Sequence, residues 1–251
     1  MTKITAIIPT LNEEIHIADA INSVSFADEI IVIDSFSTDK TIEIAEKLHV
    51  KIIKRKFDDF SSQKNFAIEQ ATHSWIYILD ADERVTAAVE KEILEAVNNP
   101  NGFVGFYVRR AFYFAKQKIN YCGWQRDKVV RLFLKEHCRY SGVVHETIYT
   151  KGKLGFLKSK IDHFGYRSYD HFISKINHYS SLKAKQLHAN GKKVSAFHLL
   201  IKPAARFFIH YVIRLGFLDG LAGLILAKIL AYSVFTRYIK LWLLNKGIKE
   251  S

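Results

Sequence analysis

Four short apolar runs, each closing on a polar cluster and each followed by a segment of helical periodicity, constrain the first hundred residues more than any other feature. The runs are KITAIIP at 3–9, EIIVI at 29–33, VKIIK at 50–54 and WIYIL at 75–79. Near-continuous apolarity over so few residues is the mark of strands covered on both faces. Between them, Ile15, Ala18, Ile21 and Val24 recur at helical spacing, with Asn12 placed to cap and Glu13 and Glu14 suited to the first turn. Thr38 is placed to cap a helix at 41–48, Ser61 or Ser62 to open one reaching residue 70, and Thr86 to cap one ending near 97. Regular alternation of this kind predicts an α/β domain on a mainly parallel sheet. Such sheets bind ligands beyond the carboxyl ends of their strands. Three polar endings meet there: PTLNEE at 9–14, DSFSTD at 34–39 and DADE at 80–83.

The turn NPNG at 99–102 ends the alternation, and the strand-like pieces at 105–110, 129–135 and 143–149 have no long helix between them. They are expected to complete the sheet as mixed or antiparallel strands. Helical spacing returns at 169–187 and again over 197–245, and no internal repeat is present. The division predicts two domains, residues 1–165 and a helical extension at 166–251. Charge divides in nearly the same place. Residues 1–150 carry 19 Lys and Arg against 21 Asp and Glu, a net −2, whereas residues 151–251 carry 18 against 4, a net +14. A basic second part calls for an anionic partner.

Cys122 and Cys138 have neither paired spacing nor the density of a disulfide scaffold, which points to a reducing compartment. The apolar run at 4–9 is too short for a secretory signal, so a cytoplasmic chain is expected.

Asp80 and Asp82, one alanine apart at the end of a buried strand, repel each other unless something compensates. Carboxylate oxygens suit a hard divalent cation, Mg2+ or Mn2+, whose coordination substrate phosphates complete. A solvated strand end or helix cap is the alternative reading. Dinucleotide-dependent redox chemistry requires a Gly-rich turn after the first strand, and PTLN at 9–12 is none. A phosphatase with an aspartyl nucleophile usually carries its Asp-x-Asp on the first strand, followed by Thr or Val where Arg84 stands here.

Four ordered motifs, IIPTLNEE at 7–14, VIDSFSTDKT at 32–41, QKN at 63–65 and LDADE at 79–83, resemble the family 2 glycosyltransferases of GT-A fold. Asp34-Ser35, DADE, VHE at 144–146, RFF at 206–208 and GFLDG at 216–220 are similar to the lipopolysaccharide core β-1,4-glucosyltransferase branch. The resemblance implies a nucleotide-diphosphate donor, UDP favoured, carrying a hexose such as glucose, and a glycolipid or lipopolysaccharide-core acceptor. It implies that Pro9, Thr10 and Glu13 line the nucleotide pocket, that Asp34 meets base or ribose, and that Lys64 and Asn65 help hold the nucleotide. Asp80, Ala81 and Asp82 then face ribose, metal and diphosphate, with Asp82 the direct ligand. Many relatives have a second Asp where this chain has Ser35, a position that often reads the base.

The implied reaction is one displacement at the anomeric carbon, which inverts it, with a carboxylate taking the acceptor proton. Glu146, which the branch resemblance places beside His145 on the acceptor side, is the candidate base, set against a surface Glu beside a core His, and Asp127 is its substitute. Trp124 is a candidate sugar platform or a core aromatic. Arg126 and Arg131 are candidates to grip phosphate, Arg131 alternatively to steady a strand edge. His163 is a candidate metal ligand and Arg167 a diphosphate ligand, each set against a structural role. Glu83 either orients a neighbour or meets water.

Residues 197–249 mix Phe, Tyr, Leu and Ile with Lys202, Arg206, Arg214, Lys228, Arg237, Lys240 and Lys246. The best apolar window, 220–236, is shorter than the roughly 20 residues of a spanning helix and contains Lys228. Helices lying in an anionic membrane interface are therefore expected, peripheral on the inner face of the cell membrane. Packing against the catalytic domain or in a homo-oligomer is the competing reading. No recognition motif supports nucleic acid. A catalytically silent membrane scaffold of a glycan-synthesis complex is the rival function.

Overall fold

The computed structural model describes residues 2–142, 147–166 and 168–248 and, of Arg126, the backbone alone. The chain divides into two compact units, residues 1–111 with 127–163, and residues 112–126 with 164–251.

The first unit opens with β1 (Ile4–Thr10), α1 (Ile17–Ser23), β2 (Glu29–Asp34), α2 (Thr41–Lys47), β3 (Lys51–Lys54), α3 (Phe60–Glu69) and β4 (Trp75–Ile78). There follow β5 (Glu83–Arg84), α4 (Ala87–Asn98) and β6 (Phe103–Phe114), whose last three residues belong to the second unit together with β7 (Gln117–Ile119). β8 (Lys128–Leu134), β9 (Cys138–Ser141), β10 (Thr147–Thr150) and β11 (Lys153–His163) complete it. The main sheet runs β3-β2-β1-β4-β8-β6-β11-β5, and β9 pairs with β10 in a separate ribbon.

The sheet is mixed, as expected: β3, β2, β1 and β4 are parallel, whereas β8 runs antiparallel to both β4 and β6, and β5 to β11. Parallel pairing needs a crossover helix, and those helices cease after β4. Apolar runs are covered on both faces as expected. Ile4, Ala6 and Ile8 pack with Tyr77, Leu79 and the α1 and α4 residues Ile17, Ile21 and Ile93. On the other face Ile7, Ile31, Ile33, Ile76 and Ile78 pack with Ala67 and Ile68 of α3. Pro9 lies on β1 beyond Ile7, the last residue paired with β4, so its missing N–H leaves no gap in that ladder.

Two caps differ from expectation. Asn12 does not cap α1; it adopts φ 54° and accepts from the Thr38 backbone N–H at 2.8 Å. Thr38 does not cap α2, where Asp39 accepts instead from the Thr41 N–H at 3.0 Å and hydroxyl at 2.5 Å. Thr86 caps α4 as read, while α3 begins at Phe60 under an Asp59 cap. β11 was not anticipated, because Gly155 stands at a buried position where an apolar side chain would mark the alternation. A Cβ there would lie 2.6 Å from the Phe106 ring.

The second unit contains β7, α5 (Tyr169–Ala189), α6 (Ala196–Phe208), a π-helical turn (Ile209–Ile213), a 3-10 turn (Gly216–Asp219) and α7 (Gly220–Asn245). α5 and α6 pack on α7. One core joins Phe112, Phe114, Ile119 and Cys122 to Ala222, Leu226 and Ile229; another joins Ala184 to Val234, Tyr238 and Leu241. The helical stretch expected at 197–245 is two helices, α6 and α7, separated at 209–219 by the π-helical and 3-10 turns. Leu215 has φ 56° and Gly220 φ 63°, backbone that an α-helix cannot contain. The Asp219 carboxylate is buried there and accepts from the Asn120 and Tyr121 N–H groups at 3.0 and 2.9 Å.

The apolar length of the tail also exceeds expectation. The helical stretch Gly216–Asn245 has 30 residues and is long and apolar enough to cross a membrane by length and composition, with 39% of its most apolar window buried.

Gly223 packs so closely on the 3-10 turn that a Cβ would lie 1.8 Å from the Gly216 carbonyl oxygen. Backbone cannot swing aside as a side chain does. Gly223→Ala is expected to destabilise the second unit by about 3 kcal/mol, read as a lower urea midpoint for helical circular dichroism. An unchanged midpoint would refute this packing.

Candidate active site

The site begins with two interlocked loops. β1 and β2 end side by side at Thr10 and Asp34, both buried. The Ser35 N–H donates to the Thr10 carbonyl at 2.9 Å. Beyond that point the two loops exchange hydrogen bonds: Asn12 N–H to Ser37 Oγ at 2.9 Å, Glu13 N–H to Thr41 Oγ1 at 2.8 Å, and Lys40 N–H to Glu14 Oε2 at 3.1 Å. Asp34 accepts from the Ser37 N–H at 3.0 Å and hydroxyl at 2.5 Å. Polar side chains thus replace the ladder where the strands stop. Ser35 accepts from Gln63 Nε2 at 3.1 Å.

The DADE turn follows β4. It closes on itself: Glu83 N–H donates to the Asp80 carbonyl at 2.9 Å, and Asp80 N–H to Glu83 Oε2 at 3.2 Å. Glu83 is fully buried, and its other oxygen receives Arg131 at 2.6 Å and Arg110 at 3.2 Å. Arg131 also pairs with Asp80, whose second oxygen lies 3.5 Å from Lys64 Nζ. At the other end Arg110 holds Asp127 through both oxygens, at 2.9 and 3.0 Å. Three acids and three bases therefore alternate from Asp127 through Arg110, Glu83, Arg131 and Asp80 to Lys64. Burial by itself would raise the Asp80 carboxyl, but the Arg131 guanidinium and Lys64 ammonium hold it well below the usual carboxylate range. Its side chain keeps 35% exposure, so water screens part of that attraction. Burial alone would lower Arg131, yet Asp80 and Glu83 raise it well above its ordinary value.

Asp82 is placed differently. Its Oδ2 lies 3.5 Å from His163 Nε2. The register of β11 against β5, His163 opposite Glu83, brings the histidine there. Two ligands each about 2.1 Å from one Mg2+ lie at most about 4.2 Å apart, so this pair fits a shared divalent cation. Among the described residues no group of three or more His, Cys, Asp or Glu is arranged to hold a metal. A cation here would take two protein ligands, the rest being water and substrate phosphate, a usual arrangement for Mg2+.

The other expected residues separate. Lys64 is buried over the Tyr140 ring, 5.1 Å from its centroid. Asn65, expected at the nucleotide, uses its amide on the Tyr140 backbone, giving at 2.9 Å and accepting at 3.0 Å, and so pins β9. Asp80, expected among the metal ligands, is engaged by Arg131 and Lys64. Asp127, the substitute base, has both oxygens on Arg110. Arg131, expected to grip phosphate, is buried between carboxylates. Ala81 is buried, Glu13 half-buried at the loop interlock and Pro9 half-buried on β1. Trp124 belongs to the second unit, half-buried and stacked on Phe112 at 4.9 Å beside its core. Arg126 lies in a 3-10 turn, Trp124–Arg126, its side chain outside the description. His145, Glu146 and Arg167 lie outside the described residues. Sequence reading missed Arg110 and left Glu83 undecided. An acid three residues after the Asp that ends a buried strand was the available signal for Glu83; Arg110 had none before strand pairing was known.

The sequence model of the family described as Glycosyl transferase family 2 matches residues 5–157. A glycosyltransferase of Rickettsia felis is 33% identical, over 96% of this chain and 90% of its own length. The lipopolysaccharide core biosynthesis glycosyltransferase LpsC of Rhizobium meliloti is 28% identical, over 94% of this chain and 93% of its own. The solved structure of S. aureus TarS 1-349 is similar in fold, with a TM-score of 0.50 over 100% of this chain and 93% of that one at 14% identity.

Removing one charge from the buried alternation strands its partners. Glu83→Gln leaves Arg110 and Arg131 a carboxylate short and is expected to destabilise the first unit by about 3 kcal/mol, lowering the thermal midpoint by about 10 °C. A midpoint within a degree of the parent in calorimetry would show that the network carries no such weight.

Proposed function

The chain belongs to glycosyl transferase family 2 and is a glycosyltransferase of GT-A fold, and on that premise we propose that it moves a hexose from a nucleotide-diphosphate donor to a lipid-linked glycan. A UDP-linked donor and an acceptor of the lipopolysaccharide-core kind are the specific reading, the latter supported by the similarity to LpsC, a lipopolysaccharide core biosynthesis glycosyltransferase. The observation that carries the proposal is the Asp82–His163 pair at the end of β4, on the same sheet edge as Thr10 and Asp34. Asp82 and His163 hold Mg2+ or Mn2+. When bound, the divalent cation supplies Lewis-acid charge to the departing nucleotide diphosphate.

The chain's own residues do the remaining work. Asp34, oriented by Ser37, accepts from ribose or base, and Thr10 lies beside it in the pairing of β1 with β2. Lys64 and Arg131 keep Asp80 ionised, so that its exposed edge accepts from the donor's sugar hydroxyls. Asp127 positions Arg110 instead of removing a proton. The base is Glu146, carried over from the resemblance of VHE at 144–146. Proton removal from the acceptor by that carboxylate completes one displacement and inverts the anomeric carbon. The basic, apolar second unit keeps the enzyme on the inner face of the membrane that carries the acceptor.

Asp82→Asn is expected to lower transfer about a thousandfold, the several kcal/mol a metal contributes, with melting unchanged. His163→Ala should raise the metal concentration for half-activity at least ~10-fold. Glu146→Gln should lower turnover by ~10²-fold or more with donor affinity intact. Turnover of a UDP-, GDP- and TDP-sugar panel with lipid-linked acceptor, with and without chelator, measures all three. Full activity of Asp82→Asn, or in chelator, would exclude the metal role.

A further inference from the structure

The second unit holds a cluster of cations that the transfer reaction does not use. Arg206, His210 and Arg214 follow one another at four-residue spacing through the end of α6 and the π-helical turn, and Arg237 comes from α7, on which α6 packs. The Nε–H groups of Arg206 and Arg237 are buried and make no hydrogen bond. No carboxylate among the described residues forms an ion pair with any of the three arginines. Asp219, the acid nearest in the chain to Arg206 and Arg214, has its two oxygens on the Asn120 and Tyr121 N–H groups. The arginines lie near enough that, burial apart, the charges of Arg237 and Arg214 depress the affinity of Arg206 for its proton.

His210 does not relieve this. It is buried, and its Nδ1 lies 2.6 Å from the Cys122 carbonyl, which only accepts, so Nδ1 carries the proton. Nε2 is then an acceptor facing Arg214 Nη1 at 3.4 Å. Burial and the neighbouring arginines keep the ring neutral by lowering its pKa against the opposing Cys122 bond. Gly123 makes room for the guanidinium: a Cβ there would lie 2.6 Å from Arg214 Nη1. The fold thus assembles three guanidinium groups, orients one, and leaves buried donors unmatched. Buried donors without acceptors and like charges without counter-charge are both unfavourable, and an oxyanion with several acceptor oxygens relieves both.

We propose that Arg206, Arg214 and Arg237 form a phosphate-binding site that takes the headgroup phosphate of an anionic phospholipid. Among phosphates, the flanking side chains select a lipid. Phe208 and Ile213 are exposed on the segments that carry Arg206 and lead into Arg214, and Phe217 and Leu218 on the 3-10 turn that follows. Exposed apolar side chains beside guanidinium groups match the boundary between headgroup and acyl chain. The lipid source rests on the membrane reading above; the arginine cluster itself does not.

The test is vesicle co-sedimentation of the full chain with phosphatidylcholine alone and with phosphatidylglycerol added. The parent is expected to bind the anionic vesicles. Arg206→Gln and Arg237→Gln should each weaken that binding ~10-fold or more, against at most about fivefold for one diffuse surface charge, represented by the exposed Lys185→Gln. Arg206→Lys, which keeps charge but loses the planar fork, should fall between. Donor hydrolysis by each variant in detergent should equal the parent's, which verifies folding. Equal losses in Arg206→Gln, Arg237→Gln and Lys185→Gln would overturn the site while leaving membrane attachment standing. A parent that ignores both vesicles would overturn the lipid source and the membrane reading together, and saturable calorimetric binding of inorganic phosphate, lost in Arg206→Gln, would assign the cluster to free phosphate. Vesicle binding without any sugar transfer would count against the catalytic proposal alone.

Discussion

The alternating chain of charges from Asp127 to Lys64 is the constraint on which the first unit depends. Its members come from α3, the turn after β4, β5, β6, β8 and the residue preceding β8. It therefore links the parallel strands, built by crossover helices, to the antiparallel strands that follow them. Three acids against three bases leave no net charge in the interior, and each carboxylate meets at least two donors. That balance is what makes burial of Glu83 and Arg131 tolerable, since an unpartnered buried ion costs several kcal/mol. The direction of the Asp80 shift has the same origin: attraction from Arg131 and Lys64 exceeds the burial that opposes it.

Function follows from how that network divides the acidic motif. Two carboxylates one residue apart look equivalent along the chain, but Asp80 is drawn to cations below the sheet edge while Asp82 meets the imidazole of His163. One acid shapes the site and the other has a geometry suited to a metal. In the second unit the balance is reversed. Among the described residues no carboxylate pairs with Arg206, Arg214 or Arg237, and Leu215 and Gly220 interrupt the helix between Arg214 and α7.

Legibility tracked the range of the interaction. The first four strands were readable because burial on both faces writes a continuous apolar run, and Thr86 was readable as a cap because its partner, Val89, is three residues away. β11 was hidden because a glycine replaces the apolar signal where the Phe106 ring approaches. Asn12 and Thr38 carry cap-like residue types, yet they hydrogen-bond to each other across two loops, 26 residues apart. Asn65 and Asp127 had the right chemistry for binding or base roles, but the Tyr140 backbone and Arg110 occupy their polar atoms.

Residue order by itself determined where strands and helices lie in the first hundred residues, that three polar endings share one sheet edge, and that the basic, apolar residues belong to the latter part. Those properties depend on periodicity and composition, which act over a few residues. Tertiary structure alone decided that Glu83 faces two arginines and that Asp82 meets His163. Each of these is a pairing between distant positions, made only when strand register or helix packing brings them within a few ångströms, the distance over which hydrogen bonds and ion pairs act.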